Sequence, residues 1–589
     1  MNIILSTLNA KYIHTSLSIR YLKAYAEPDY DVQLAEYTIN DPVINIASDL
    51  IQKKPKIIGF SCYIWNIEET IKVVEILKKV DPSIVIVLGG PEVTYDTKYW
   101  MERLHNVDII IIGEGEQTFK QLLDELHHDR QFNRIGGIAY RTTDNEIKIN
   151  PQSNKVNLKD LPSPFRFEED KESLSKRVVY IETSRGCPFS CQFCLSSIEV
   201  GVRYFDREKI KDDIRYLMQN GAKTIKFVDR TFNISRSYAM EMFQFLIDEH
   251  LPGTVFQFEI TADIMRPEVI QFLNDNAPKG LFRFEIGVQS TNDHTNELVK
   301  RKQNFDKLTR TVTMVRDGGK IDQHLDLIAG LPDEDYDSFK KTFNDVFALR
   351  PEELQLGFLK MLRGTGLRIN AKQYGYVYMD HSPYEIVKNN VLSFDDMIRI
   401  KQVEDVLEKY WNNHRMDETI HFLVKNTFNT PFDFFQEFGS FWDKQGWSRI
   451  GHQLEDLFKR LEQFLEYKEI KDLEVIKALM KYDYLRNHKQ KPRKTWWSNK
   501  TEKQEKRKLI DEIIATPEKL GKKFVELNLS ENELYKHTVI EQVPFHLQSY
   551  LTNINNVELT PALLVVYYNI HNGQTEVFHQ TLNIELLAT

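Results

Sequence analysis

Cysteine is nearly absent from this sequence, with four residues in 589. So few cannot staple a chain of this length, which excludes a disulfide-built secreted scaffold. No run of about 18 apolar residues occurs, so no segment reads as a membrane span. An excess of positive charge is also missing. The 77 Lys and Arg stand against 86 Asp and Glu, a net charge of −9, which gives no overall attraction to nucleic acid. The N-terminal stretch MNIILSTLNAKY has neither a charged n-region nor a long apolar h-region. It reads as a first β-strand rather than a signal peptide. The expectation is a cytoplasmic protein with no membrane partner and no nucleic-acid partner. What is present is apolar material for real cores, at 41% hydrophobic residues. The chain is too long for a single core, so several domains are expected.

Three of the four cysteines, Cys187, Cys191 and Cys194, crowd into one short stretch. The order of elements around them sets their context. Residues 1–127 alternate short Ile- and Val-rich runs (2–7, 32–36, 57–62, 84–88, 107–112) with amphipathic stretches. Such runs suit strands buried on both faces, and the alternation predicts a doubly wound α/β domain. Ligands of that fold bind at the carboxyl ends of the strands. Distinctive loops fall there. One holds His14, one Ser61, one Gly89, Gly90, Pro91 and Glu92, and one Gly113, Glu114, Gly115 and Glu116. Residues 131–176 read as a connector containing a hairpin around Thr143-Asp144-Asn145. Residues 177–375 hold six further βα units, with strands near 178–182, 224–228, 255–260, 282–288, 323–329 and 353–358. That count predicts a partial or full β/α barrel. Residues 376–589 read as mostly helical, with a hairpin near 563–568 and 577–584. A basic stretch at 486–508 contains Trp496 and Trp497.

The cysteine segment reads Thr-Ser-Arg-Gly-Cys187-Pro-Phe-Ser-Cys191-Gln-Phe193-Cys194 and directly follows an expected strand. A structural zinc site wants four closed ligands. A cubane iron–sulfur cluster takes one thiolate per iron, so three thiolates leave one iron open. The C-x3-C-x2-C spacing, with an aromatic before the last cysteine, resembles the signature of the radical S-adenosylmethionine (SAM) superfamily. The resemblance implies a 4Fe-4S cluster on Cys187, Cys191 and Cys194 whose open iron holds SAM. It also implies one-electron cleavage of SAM to a 5′-deoxyadenosyl radical, and an electron donor such as flavodoxin or ferredoxin. By the same resemblance Phe193 packs by the adenine. Asp229, Glu259, Glu285, Gln289 and Asp326, all at or near strand ends, stand where the superfamily contacts SAM.

A doubly wound domain ahead of such a barrel resembles the cobalamin-binding subclass, the class B methyltransferase-like enzymes. The implied fold is α/β: a flavodoxin-like cobalamin-binding domain, a radical SAM partial β/α barrel and a mostly helical C-terminal domain. The Gly89-Gly90-Pro91-Glu92 and Gly113-Glu114-Gly115-Glu116 segments resemble cobalamin-contacting loops of that subclass. Methylation of an unidentified substrate, with cobalamin as methyl carrier, is the implied chemistry. The alternatives are cobalamin-dependent rearrangement or cyclisation, and a vestigial cobalamin domain. The D-x-H-x-x-G signature, whose His ligates cobalt, is missing. His14 sits in the corresponding loop without the Asp, and a ligating His normally has such an orienting partner. A tRNA-modifying methylthiotransferase is the remaining rival. It needs a second cluster on three more cysteines, and Cys62 is the only one left.

Overall fold

The computed structural model describes residues 2–198, 201–497, 503–545, 550, 560–569 and 574–581. Their contacts divide the chain into two compact units, residues 1–397 and 398–589.

The first unit begins with β1 (Ile3–Asn9), α1 (Leu17–Ala26), β2 (Val32–Thr38), α2 (Val43–Gln52), β3 (Ile57–Ser61), α3 (Ile67–Val80) and β4 (Val85–Gly89). It continues through α4 (Pro91–Thr94), α5 (Thr97–Arg103), β5 (Ile109–Ile111) and α6 (Glu116–His127). These five strands are parallel in the order β2-β1-β3-β4-β5, the flavodoxin-like order. The strands are apolar throughout because both faces are covered. Ile4, Ile58 and Ile86 pack with Leu50 and Leu77 on one side. Leu5, Val87 and Ile111 pack with Ile19 and Phe119 on the other. The hairpin forms from β6 (Ile138–Arg141) and β7 (Ile147–Ile149). It lengthens this sheet to seven strands by antiparallel pairing on β5. Part of the expected connector is therefore sheet. The segment after it is anchored by buried Leu161, Phe165 and Phe167.

The second series runs β8 (Val178–Ile181), a short antiparallel pair β9 (Ser184–Arg185) and β10 (Arg203–Tyr204), α7 (Arg207–Gln219), β11 (Thr224–Phe227), α8 (Arg236–Glu249) and β12 (Val255–Ile260). Then come α9 (Pro267–Asn276), β13 (Phe282–Gln289), α10 (Asp293–Leu298), α11 (Phe305–Gly318), β14 (Asp322–Ala329), α12 (Tyr336–Phe347) and β15 (Glu353–Phe358). Six parallel strands, β8-β11-β12-β13-β14-β15, form one sheet. Among the described residues β8 and β15 do not pair, so the barrel is partial. After β15 the chain returns to the first sheet. Arg363 and Tyr384 of this return segment are buried beside Glu92.

The second unit is helical and rich in aromatic rings. Phe434, Phe438 and Trp442 of the helix Pro431–Lys444 pack with Tyr410 and Phe464. The expected hairpin is present as Ala562–Asn569 and Gln574–Thr581. A third strand, Thr538–Val543, joins it antiparallel and carries no turn signal in the sequence. Residues 582–584 lie outside the described residues, as do 498–502 of the basic stretch. Trp496 is buried and stacks on Phe458, with ring centroids 6.0 Å apart. Trp497 meets Tyr484 edge-on. Trp496 is therefore a core residue, and Trp497 is half-buried against Tyr484. No helix among the described residues is long and apolar enough to cross a membrane.

Candidate active site

The cysteine loop leaves β9 at Gly186 and returns at β10. Gly186 has φ +98°, and a Cβ there would run into the carbonyl of Gly201, so only glycine closes this loop. Gly201 N–H donates to the Cys187 carbonyl at 3.3 Å, and Cys194 N–H to that of Cys191 at 3.1 Å. All three thiols are free; Cys187 and Cys191 are buried and Cys194 half-buried. Burial pushes the Cys187 and Cys191 thiols up. A backbone hydrogen bond from Phe189 opposes this at Cys187, and the Arg301 guanidinium opposes it at Cys191. The thiols are close enough to feel one another's charge. No three His, Cys, Asp or Glu side chains among the described residues converge tightly enough for a single metal ion. A cluster with one thiolate per iron spreads its ligands instead.

Beside this loop opens a cavity of about 730 Å³. Its inner part is an apolar slot, floored by Leu5, Gly59, Val87 and Ile111 of the first sheet and walled by Leu22 and Phe119. Its rim gathers the loops at the carboxyl ends of the first sheet: His14, Ser61, Gly89, Gly90, Pro91 and all four residues from Gly113 to Glu116. Its far side is the barrel: Tyr180, Glu182, Val228, Arg230 and Glu259, with Gly186, Leu195 and Ser196 of the cysteine loop. Gly90 has φ +106°, and a Cβ there would stand 2.5 Å from the Cys62 carbonyl, so the β4 loop lies directly on the β3 loop. Cys62 is fully buried beneath it as a core residue.

Charge links the two sides. Arg185 Nη2 lies 2.6 Å from Glu116 and 2.7 Å from Glu182, while its Nη1 is 3.7 Å from Glu114. Arg203 pairs with Glu114 as well. His14 Nδ1 lies 2.6 Å from the Tyr180 hydroxyl of β8. Burial lowers the His14 pKa, and the charges of Lys11 and Lys226 lower it further, so the ring is neutral near pH 7.

Other expected site residues are placed elsewhere. Glu92 turns away from the cavity and accepts from the Tyr384 hydroxyl at 2.5 Å, with Arg363 at 3.5 Å. Asp229 is buried and accepts from Thr183 N–H at 3.1 Å, from Thr183 Oγ1 at 2.7 Å and from Ser184. Glu285 is held by Lys226 at 2.7 Å, and Asp326 lies 3.0 Å from His324. Gln289 has φ +69° where the β13 register shifts, and its buried Oε1 has no partner among the described residues. Phe193 is half-buried within the cysteine loop.

The comparisons with known proteins match this arrangement domain by domain. The family described as B12 binding domain matches residues 4–123, and the radical SAM superfamily matches residues 181–346. The chain is a radical SAM protein with a B12-binding domain. A third family, described as a protein of unknown function (DUF4080), matches residues 372–565. An uncharacterized methyltransferase of Pyrococcus horikoshii is 27% identical over 237 residues, 38% of this chain and 51% of that protein. The cobalamin-dependent radical SAM methyltransferase TokK of Streptomyces tokunonensis is 29% identical over 230 residues, 36% of this chain and 33% of that protein. An anaerobic magnesium-protoporphyrin IX monomethyl ester cyclase of Rubrivivax gelatinosus is 25% identical over 343 residues, 55% of this chain and 60% of that protein. The chain thus spans about half or less of the first two relatives. Among solved structures, the cobalamin-dependent SAM radical enzyme OxsB with aqua-cobalamin and SAM bound has TM-score 0.55 at 18% identity. That match covers 82% of this chain and 78% of the other, and the likeness concerns the fold.

The cofactors of this radical SAM protein are accordingly a 4Fe-4S cluster, SAM and cobalamin. The residues present fit them. Three free thiols in one glycine-closed loop suit an open-site cluster. The apolar slot with a glycine-lined rim suits a large organic macrocycle with a heterocyclic tail. Three polar residues at the centre of the site, Tyr180, Glu182 and Arg185, were not singled out in the sequence. For Tyr180 and Glu182 the signal is the period-two alternation along β8, which points both to one face; Arg185, three positions further on, carries no such signal.

Proposed function

We propose that this chain is a cobalamin-dependent radical SAM methyltransferase that places the methyl group of SAM on an unidentified substrate. The observation that supports the reading is the single cavity, lined both by the loops of the B12-binding domain and by the loop that carries the cysteines. When bound, the cluster supplies one-electron reduction of SAM and the corrin supplies methyl carriage. The chain's own residues do the rest. Cys187, Cys191 and Cys194 hold the cluster as thiolates. Arg230 and Glu259, on the barrel side of the cavity, offer opposite charges to the carboxylate and ammonium of SAM. Phe193 and Gln289 pack and hydrogen-bond the same ligand. Asp229, Glu285 and Asp326 act through Thr183, Lys226 and His324. His14, Ser61 and the two glycine loops receive the corrin. A reduced flavodoxin or ferredoxin delivers the electron.

Anaerobic reconstitution with iron, sulfide, hydroxocobalamin and reductant tests this. The expected result is corrin absorption on the purified protein and 5′-deoxyadenosine from SAM. Absence of bound corrin removes methyl carriage, and absence of SAM cleavage removes the radical reading. Cyclisation is the second reading, favoured by the longer stretch matched by the cyclase relative. It transfers no methyl group from SAM to the product.

A further inference from the structure

Gln192 lies between two of the three clustered cysteines, Cys191 and Cys194, and two neighbouring segments clasp it. Its N–H donates to the carbonyl of Val299, which ends α10, at 2.9 Å. Its own carbonyl accepts from Leu367 N–H of the short helix Gly366–Ile369, also at 2.9 Å. A Cβ at Gly366 would run into the Gln192 side chain, so this helix lies close on the cysteine loop. Both segments are basic in a chain whose net charge is −9. Residues 297–310 hold five Lys or Arg against Glu297 and Asp306, and residues 360–379 hold four against no acid. Lys300, Lys302 and Lys372 are exposed, and none of the three forms an ion pair among the described residues. Ile369 beside them is 75% exposed. Arg301, between the two lysines, turns inward instead. It donates to the Gly287 carbonyl, and its charge reaches the Cys191 thiol. Lys300 has φ +53°, and Arg301 N–H donates back to the Asn296 carbonyl at 2.8 Å. That is the helix-ending position where glycine fits with least strain, yet the chain places a cation there.

We propose that this face is the docking site of a small acidic electron-carrier protein, which passes its electron to the cluster through the cysteine loop. The inference rests on the radical SAM reading above and on its need for an external electron. One electron leaves the carrier and enters the cluster. The carrier is oxidised by one electron, the cluster is reduced by one, and no bond is made or broken. Unpaired exposed cations draw in an acidic surface and speed the encounter. An apolar centre with a charged rim is the make-up of a protein-docking patch. Lys300, Lys302, Ile369 and Lys372 do not line the cavity, so a seated carrier leaves it open to SAM and substrate.

The test mixes reconstituted holoprotein with a reduced acidic flavodoxin, or in a separate arm with a reduced acidic ferredoxin. Freeze-quench electron paramagnetic resonance follows the reduced cluster. The triple variant Lys300→Gly, Lys302→Gln, Lys372→Gln should be reduced at least tenfold more slowly at low ionic strength by whichever carrier serves the wild type. Added salt should slow the wild type and barely change the variant. Iron content should match, and reduced methyl viologen, a small cation that needs no docking, should reduce the variant no more slowly than the wild type. Wild-type rates in the variant with both carriers, or a wild-type rate indifferent to salt, would overturn the docking site. Slow reduction by methyl viologen as well would place these lysines in the cluster's own surroundings and overturn it too. SAM left uncleaved after methyl viologen has reduced the cluster would sink the radical reading itself, and this inference with it.

Discussion

His324 shows how a single side chain takes its state from its neighbours. Burial alone would discharge it, but the carboxylates of Asp326 and Glu353 outweigh burial and raise its pKa from 6.5 to about 10. Glu353 is correspondingly lowered to about 2 by His324 and Arg283. Because the folded pKa lies above the unfolded one, the charged imidazole stabilises the fold fully below about pH 6.5. That contribution is lost as pH rises towards about 10. In an NMR titration the His324 ring should still be protonated at pH 8, and a midpoint near 6.5 would refute the pairing. His324→Gln should destabilise the chain by on the order of 1–2 kcal/mol at neutral pH, because it takes the cation from Asp326 and leaves Glu353 with Arg283 alone. The deficit should shrink in denaturant titrations repeated at alkaline pH. The same scale shows why spacing alone could not assign roles to acids. Asp229 and Glu259 look alike in sequence, yet one is consumed by Thr183 and Ser184 while the other faces the cavity.

At the scale of elements, the cysteine loop depends on its closure as much as on its ligands. Gly186→Ala combines a positive φ with a clash against the Gly201 carbonyl. The conformational strain alone is on the order of 2 kcal/mol. Reconstituted iron should fall well below that of the wild type although every cysteine is intact, and full iron loading would contradict the strain argument. The return segment after β15 is a second such element. Tyr384→Phe removes the hydroxyl that donates to buried Glu92, which should lower stability by about 1–3 kcal/mol in urea. An unchanged urea midpoint would show that Arg363 alone satisfies this carboxylate. The strands flanking these loops were legible because each is a short Ile-, Val- or Phe-rich run between polar helices. The seven-stranded extent of the first sheet was not, because β7 (Ile-Lys-Ile) is too short to announce a sheet. Nor was the partnership of Glu92 with Tyr384, since 292 residues separate them and no periodicity links them.

Across the whole first unit, the B12-binding domain and the barrel are joined beside the cavity that their loops share. Arg185 stands two positions before Cys187, and its guanidinium is shared between Glu182 of its own domain and Glu116 at the start of α6. Burial works against the Arg185 charge, but the nearby Glu182 and Glu116 carboxylates outweigh it and keep the guanidinium charged. The cysteine loop and the loop at the start of α6 thus share one ion-pair network at the edge of the cavity. If the contact acts as a coupling, a change at either end should be felt in corrin binding, and the second change should add little. Arg185→Met and Glu116→Gln are each expected to weaken hydroxocobalamin binding about tenfold, or 1.4 kcal/mol, in an absorption titration. The double variant should lose no more than either alone, because residues in one ionic network are not additive. Losses that simply add would mean that Arg185 and Glu116 act on the corrin separately. Wild-type affinity in Arg185→Met would mean that the cysteine loop and the corrin rim are not linked through this contact at all.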